Sequence, residues 1–155
     1  MSTTSSLPAA RYVQPALKET LTCEQLESSF RDEAMAATEC AYFARIAEIE
    51  GEPEMARALR ELAEQHTINA RGSLDLLMRA REPLTGRPFG NTRSNVAALS
   101  AFYGGDAEAQ QNRSRTARNE GFSDISSWFT SLSRLRHAHS ERLAALLTKA
   151  EPTDP

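Results

Sequence analysis

The sequence predicts an all-α fold of four helices arranged as two antiparallel hairpins. Apolar residues recur at spacings of three and four along most of the 155-residue chain, which is the period of an amphipathic helix. The seven glycines and seven prolines are few enough to leave long uninterrupted helices. Glu50-Gly51 and Glu120-Gly121 repeat one short turn at an offset of 70 residues, which predicts two copies of one hairpin.

The first hairpin turns at Gly51. Helix 1 is predicted to begin near Thr22, which has a capping-box partner in Gln25, and to end at Gly51. Helix 2 is predicted to begin at Pro53, because proline is favoured in the first turn of a helix, and to run to about Glu82. A connection this short makes the two helices antiparallel neighbours.

The second hairpin follows a helix-breaking segment, PLTGRPFG, at 83–90. Helix 3 is predicted over 92–119 and ends before Gly121, and Ser123 is the expected N-cap of helix 4, which runs to about Ala150. The middle connection has about ten residues, which can span roughly 30–35 Å. It is therefore long enough to cross a bundle.

Two hairpins joined by one long crossover form the ferritin-like arrangement of a four-helix bundle. We therefore expect a ferritin-like bundle over residues 22–150. The segment 1–21 is rich in serine and threonine and is expected to be a flexible N-terminal arm, and 151–155 is expected to be a tail.

Composition and charge exclude several classes of function. The chain has 18 basic and 21 acidic residues, a net charge of −3 that does not favour nucleic-acid binding. No apolar run approaches the roughly 20 residues that span a bilayer, and no secretory signal pattern is visible. Cys23 and Cys40 form neither a CxxC motif nor a disulfide framework. We expect a cytoplasmic protein that binds no nucleic acid and no membrane.

Polar residues interrupt all four apolar seams near the middle of the helices. A seam faces the core of a bundle, where an unpaired charge costs several kcal/mol, so these side chains should meet each other. They predict one polar site inside the bundle. Its members are Glu33 on helix 1, His66 and Asn69 on helix 2, Asp106 on helix 3, and Arg136 and His139 on helix 4.

Several motifs resemble the rubrerythrin branch of the ferritin-like superfamily, over roughly residues 26–147. They are FRDE at 30–33, AYFA at 41–44, the two Glu-Gly turns, WF at 128–129, SL at 131–132 and His139. The resemblance implies a ferritin-like fold and two irons held by carboxylates and histidines, with one Glu-x-x-His on helix 2 and another on helix 4. It also implies an oxidoreductase that reduces peroxide.

The chain departs from that pattern at most ligand positions, and no Glu-x-x-His remains. Glu33 stands at the carboxylate position of helix 1, and His66 and Arg136 stand where helices 2 and 4 of the family carry glutamate. On helix 3, an ungapped match places the two carboxylate positions at about 102–105. If this chain lacks the extra residue that the family often has in that helix, Tyr103 takes the first position and Asp106 the second. Because an arginine stays protonated and repels cations, we do not expect an intact di-iron centre.

Two interpretations of the site remain open. In the first, Arg136 bridges Glu33 and Asp106 without a metal, and the remaining polar residues complete a buried network. The protein is then a non-catalytic binding or assembly protein that meets another chain through its N-terminal arm or an exposed helix face.

In the second interpretation, Glu33, His66, Asp106 and His139 bind one Fe, Mn or Zn ion, since imidazoles and carboxylates suit these metals. The protein is then a metal-dependent oxidoreductase acting on peroxide or oxygen. In either case we expect a homodimer, because bundles built from hairpins associate or exchange hairpins readily.

Overall fold

The computed structural model describes residues 15–149, which form four α-helices and, within that range, no strand. The helices are α1 (Leu21–Glu50), α2 (Pro53–Leu77), α3 (Thr92–Asn119) and α4 (Ser123–Lys149). α1 packs on α2 to form hairpin 1, and α3 packs on α4 to form hairpin 2. The predicted all-α fold of four helices in two antiparallel hairpins is confirmed, and it is consistent with the ferritin-like fold.

Two of the predicted segments lie mostly or wholly outside the described residues. Most of the arm predicted at 1–21 and all of the tail at 151–155 lie there. No helix in the described part of the chain is both long and apolar enough to cross a membrane.

The start of α1 differs from the prediction. Its N-cap is Thr20, whose hydroxyl oxygen accepts a hydrogen bond from the backbone N–H of Cys23 at 3.1 Å. The predicted capping box of Thr22 and Gln25 is therefore wrong, because Thr20 has the extended backbone that an N-cap requires and Thr22 already lies inside the helix.

The end of α2 also differs, since the helix stops at Leu77 and not near Glu82. The Glu82 carboxylate accepts hydrogen bonds from the backbone N–H groups of Leu84 at 2.6 Å and Thr85 at 2.7 Å. Gly86 completes this turn with a φ of 70°. A side chain that satisfies the amides of the following loop stabilises a turn in place of a further helical turn.

The two Glu-Gly turns have the same geometry, which confirms the internal repeat. Gly51 has a φ of 79° and Gly121 a φ of 89°, a left-handed conformation that side chains disfavour. In each hairpin the N–H after the glycine donates to a carbonyl five residues back, that of Ala47 or Ala117, at 2.8 Å. This is the hydrogen bonding of a glycine-terminated helix.

Small residues form the interface inside each hairpin. Ala56 and Ala70 are buried between α1 and α2, and the offset of 70 places Ser126 and Ser140 at the same positions in α4. Ser140 and Ser100 exchange hydrogen bonds, each hydroxyl donating to the other residue's carbonyl at 2.8 and 2.9 Å. Hairpin 1 is thus closed by alanine packing, and hairpin 2 by hydrogen bonds from serine to the backbone.

The two hairpins do not pack against each other within one chain. Among residues 15–149, no Cα of α1 or α2 lies within 8 Å of a Cα of α3 or α4. Packed helices have axes about 8–10 Å apart, so their backbones approach this closely. Of the described apolar residues that are buried, only Leu77 is larger than alanine or cysteine. The large apolar side chains of the four seams are therefore left partly exposed.

The linker at 78–91 folds against the open end of hairpin 1. Phe89 packs on a small apolar cluster of Cys23, Leu77 and Ala80. Because the linker turns back on α1 and α2, it does not run along the length of a bundle in the single chain.

An ion pair ties the linker to α1. Nε of Arg81 donates to a carboxylate oxygen of Glu27 at 2.5 Å, and the Glu27 side chain is 9% exposed. This hydrogen bond holds the pKa of the Glu27 carboxyl below its usual value, assisted by the charges of Arg81 and Arg31 against the opposing effect of burial. The Glu27 carboxylate is therefore charged in the folded protein and holds the guanidinium in place.

Candidate functional site

The predicted polar residues form two clusters, one on each hairpin. The first cluster is Glu33, His66 and Asn69 on hairpin 1. The second cluster contains the three remaining residues of the predicted site together with two neighbouring side chains, Tyr103 and Gln110. Its members are Tyr103, Asp106, Gln110, Arg136 and His139, all on hairpin 2.

Glu33 is the centre of the first cluster. Its Oε2 lies 2.8 Å from Nδ1 of His66 and accepts a hydrogen bond from Nδ2 of Asn69 at 3.2 Å. Helix geometry brings these groups together, because His66 and Asn69 are three residues apart on α2 and face α1. The hydrogen bond from His66 and then that from Asn69 lower the pKa of Glu33, with burial opposing them. Glu33 is therefore a charged acceptor with two protein partners.

Asp106 is the centre of the second cluster. Its Oδ2 accepts hydrogen bonds from Nε of Arg136 at 2.8 Å and from Nε2 of Gln110 at 3.2 Å. The side chain of Asp106 is 14% exposed and that of Arg136 is 33% exposed. The charge of this carboxylate is thus neutralised by an arginine on the neighbouring helix.

Tyr103 completes the second cluster. The guanidinium carbon of Arg136 lies 5.3 Å from the centre of the Tyr103 ring, within the range of a cation–π contact. The His139 ring meets the same tyrosine edge to face, with centroids 5.4 Å apart. Arg136 is therefore held between Asp106 and Tyr103, and the predicted bridge from Arg136 to Glu33 is not formed within one chain.

The arrangement does not fit a di-iron centre. Two irons need about four bridging or terminal carboxylates, whereas the Asp106 carboxylate is already paired with the guanidinium of Arg136. In the part of the chain that the structure describes, no three His, Cys, Asp or Glu side chains lie close enough to hold a metal.

The four candidate metal ligands are split between the hairpins. The structure brings Glu33 next to His66, but Asp106 and His139 lie in the other cluster. A single ion bound by all four residues would need the two clusters to meet.

Gln110 was missed by the sequence analysis although a signal was present. It lies four residues after Asp106 on α3, the spacing at which an amide can reach a carboxylate on the same helix face. The Glu27–Arg81 ion pair was also missed, because no local pattern in the sequence indicates that these two residues meet. Its members are 54 residues apart, and only the folding of the linker brings them together.

No protein-family model matches this chain. It is similar to a rubrerythrin from Porphyromonas gingivalis (strain ATCC BAA-308 / W83), with 28% identity over 141 residues. The match covers 88% of this chain and 70% of that protein. A match of this extent includes hairpin 1 and most of hairpin 2.

Proposed function

The chain is a distant relative of rubrerythrin-like, ferritin-like proteins, and we propose that the metal site of such proteins has become a metal-free polar site in this protein. Its function is that of a non-catalytic binding or assembly protein. The hydrogen bond from Nε of Arg136 to Asp106 at 2.8 Å carries this proposal.

Arg136 opposes a metal in two ways. Its guanidinium does not lose its proton in proteins, so it keeps a positive charge where a cation would have to bind. It also forms a charge-assisted hydrogen bond with the nearest carboxylate, and such bonds are roughly twice as strong as neutral ones. A metal ion would have to displace Arg136 from both Asp106 and Tyr103.

Glu33 supports the same function. His66 and Asn69 provide hydrogen-bond partners for its carboxylate, so that the group is satisfied without a cation. Each carboxylate of the predicted site thus has partners among the side chains of its own hairpin. Polar groups satisfied in this way orient helices and specify one packing, which suits an assembly protein.

Metal analysis tests this proposal. Protein purified without a His-tag, exposed to Fe(II) and desalted is expected to hold well below one metal per chain. We expect Arg136→Glu to raise the iron content towards about one per chain, because it restores Glu-x-x-His at 136–139 and places a second carboxylate beside Asp106.

The matched control is Arg134→Glu, which makes the same change of charge at an exposed position of α4. It should leave the iron content unchanged. About two irons per wild-type chain would contradict the proposal. It would indicate a di-iron centre, and peroxidase assays would then test its activity.

The second candidate is a one-metal oxidoreductase that acts on peroxide or oxygen. The observation that favours it is the 2.8 Å approach of the Glu33 carboxylate to the His66 imidazole, since these two groups can serve as neighbouring ligands. Asp106 and His139 would complete the site for an Fe, Mn or Zn ion once Arg136 moves aside.

For this candidate, we expect His139→Ala to abolish metal binding and peroxide consumption while the helical circular dichroism stays close to wild type. His137→Ala is the control, because the His137 side chain is 71% exposed. If His139→Ala keeps the metal content of the wild type, the four-residue site is wrong.

A further inference from the structure

We propose that the N-terminal arm of this chain docks into an apolar cavity beside the linker and closes that cavity to other apolar ligands. The segment that enters is residues 7–13, LPAARYV, and the ring of Tyr12 is its main contact. The cavity lies where hairpin 1, the linker and the start of α3 meet. Its wall includes no residue of the two polar clusters, so this inference holds whether or not they bind a metal.

The cavity is large enough for side chains of the arm. Its volume is about 330 Å³. Six apolar residues form most of its wall: Phe30, Leu74, Leu84, Phe89, Ala98 and Leu99. An apolar cavity of about 150 Å³ takes up one benzene molecule. The cavity beside the linker therefore has room for an aromatic ring together with an aliphatic side chain.

The polar groups in the wall already have partners in the linker. The Glu82 carboxylate accepts hydrogen bonds from the backbone N–H groups of Leu84 and Thr85. The Asn95 side chain accepts from the N–H of Gly90 at 2.8 Å and donates to the carbonyl of the same glycine at 2.9 Å. An occupant therefore gains mainly by burying apolar surface, which suits an uncharged aromatic or aliphatic side chain.

The first described residues of the chain lie next to this cavity. Leu17 packs on the buried cluster that contains Leu77. Three residues of the cavity wall pack on the same cluster: Phe30, Leu74 and Phe89. Nη2 of Arg79 lies 3.5 Å from the carbonyl oxygen of Pro15 and holds the chain against the end of hairpin 1. The arm therefore starts beside the cavity.

The arm is long enough to enter the cavity. Residues 7–14 can span up to about 26–29 Å when extended. Leu77 of the cluster and Leu74 of the cavity wall are only about 4.5 Å apart along the axis of α2. The large apolar residues of the arm other than Met1 are all within this stretch: Leu7, Tyr12 and Val13.

Charge and proximity favour the arm over a separate ligand. Glu82 belongs to no ion pair among residues 15–149, and Arg11 next to Tyr12 can supply the opposite charge at the cavity. Only residues 13 and 14 separate Tyr12 from the described chain. A tether this short gives an effective concentration in the millimolar range. A free ligand of equal affinity would need a similar concentration to displace the arm.

Disulfide trapping in the full-length chain tests the docking. Val13→Cys and Leu84→Cys are combined with Cys40→Ser, while Cys23 is kept because it is fully buried. Since a disulfide requires Cα atoms within about 7 Å of each other, residue 13 must lie at the cavity to react. Under mild oxidation we expect a disulfide between positions 13 and 84 within one chain.

Tyr12→Ser in the same background should slow this disulfide about tenfold, because the arm loses its main contact and samples other positions. The matched control is Tyr42→Ser, which makes the same change at a residue of α1 that is 60% exposed, and it should leave the rate unchanged. An unchanged rate with Tyr12→Ser, or no disulfide in either chain, would overturn the proposal. A disulfide that links two chains would assign the cavity to a second copy and overturn it as well.

An uncharged fluorescent probe, N-phenyl-1-naphthylamine, tests whether the arm closes the cavity. We expect Tyr12→Ser to bind the probe about tenfold more tightly than the wild type does. Adding Ala98→Met fills part of the cavity and should remove this gain, with circular dichroism confirming that each variant stays helical. Equal binding by the wild type and Tyr12→Ser, or a gain that survives Ala98→Met, would show that the arm does not close this cavity.

Discussion

Arg136→Ala is expected to lower the free energy of unfolding by about 3–5 kcal/mol, because it leaves the carboxylate of Asp106 without its cation in a closed bundle. In the single chain Arg136 is 33% exposed and Asp106 is 14% exposed. In a closed bundle, hairpin 1 would cover hairpin 2 and bury both groups further. The size of the loss therefore reports whether the bundle closes.

Denaturant unfolding at neutral pH measures this effect, with Arg134→Ala on the exposed side of α4 as the control. The double variant Asp106→Asn/Arg136→Met should recover part of the loss, because it removes both charges and leaves neither unpaired. A loss below about 1 kcal/mol for Arg136→Ala would be typical of a solvated ion pair and would contradict a buried network.

Leu77→Ala is expected to cost about 3 kcal/mol. Leu77 has no exposed surface and is the only large apolar side chain that is fully buried among residues 15–149. It packs with Cys23 and Ala80 beneath Phe89 of the linker. Shortening its side chain leaves a cavity where the linker meets both helices of hairpin 1. Because two packed helices cannot move far enough to fill this cavity, most of the lost packing energy is not recovered.

Urea unfolding checks this prediction, with Met78→Ala as the neighbouring control, since Met78 is 61% exposed. The control should change the stability by less than about 0.5 kcal/mol. A loss below about 1 kcal/mol for Leu77→Ala would mean that the cluster beneath the linker contributes little to the stability of the protein.

Local chemistry made much of the fold predictable. Gly51 and Gly121 end their helices in the left-handed conformation, and Pro53 begins α2. α3 has the predicted bounds of Thr92–Asn119, because Asn91 is a favourable N-cap and accepts a hydrogen bond from the N–H of Ser94. Signals of this kind act within four residues and can be read from a single sequence.

The errors occurred where two local signals competed or where a distant contact decided. Thr20 and Thr22 are both acceptable N-caps by residue type, and only the backbone at Thr20 identifies it as the cap. The helical pattern of α2 continues beyond Leu77, but the Glu82 carboxylate stabilises a turn there. Phe89 and Arg81 then hold the linker against hairpin 1.

The sequence alone determined which polar residues lie at the middle of the seams, because helical periodicity assigns each residue to a face. It also determined that Glu33, His66 and Asn69 share one hairpin and that Asp106, Arg136 and His139 share the other. Only the tertiary structure decided that Asp106 pairs with Arg136 and that Glu33 pairs with His66. The physical reason is that helical periodicity assigns a residue to a face, whereas its partner on the neighbouring helix depends on how the two helices pack.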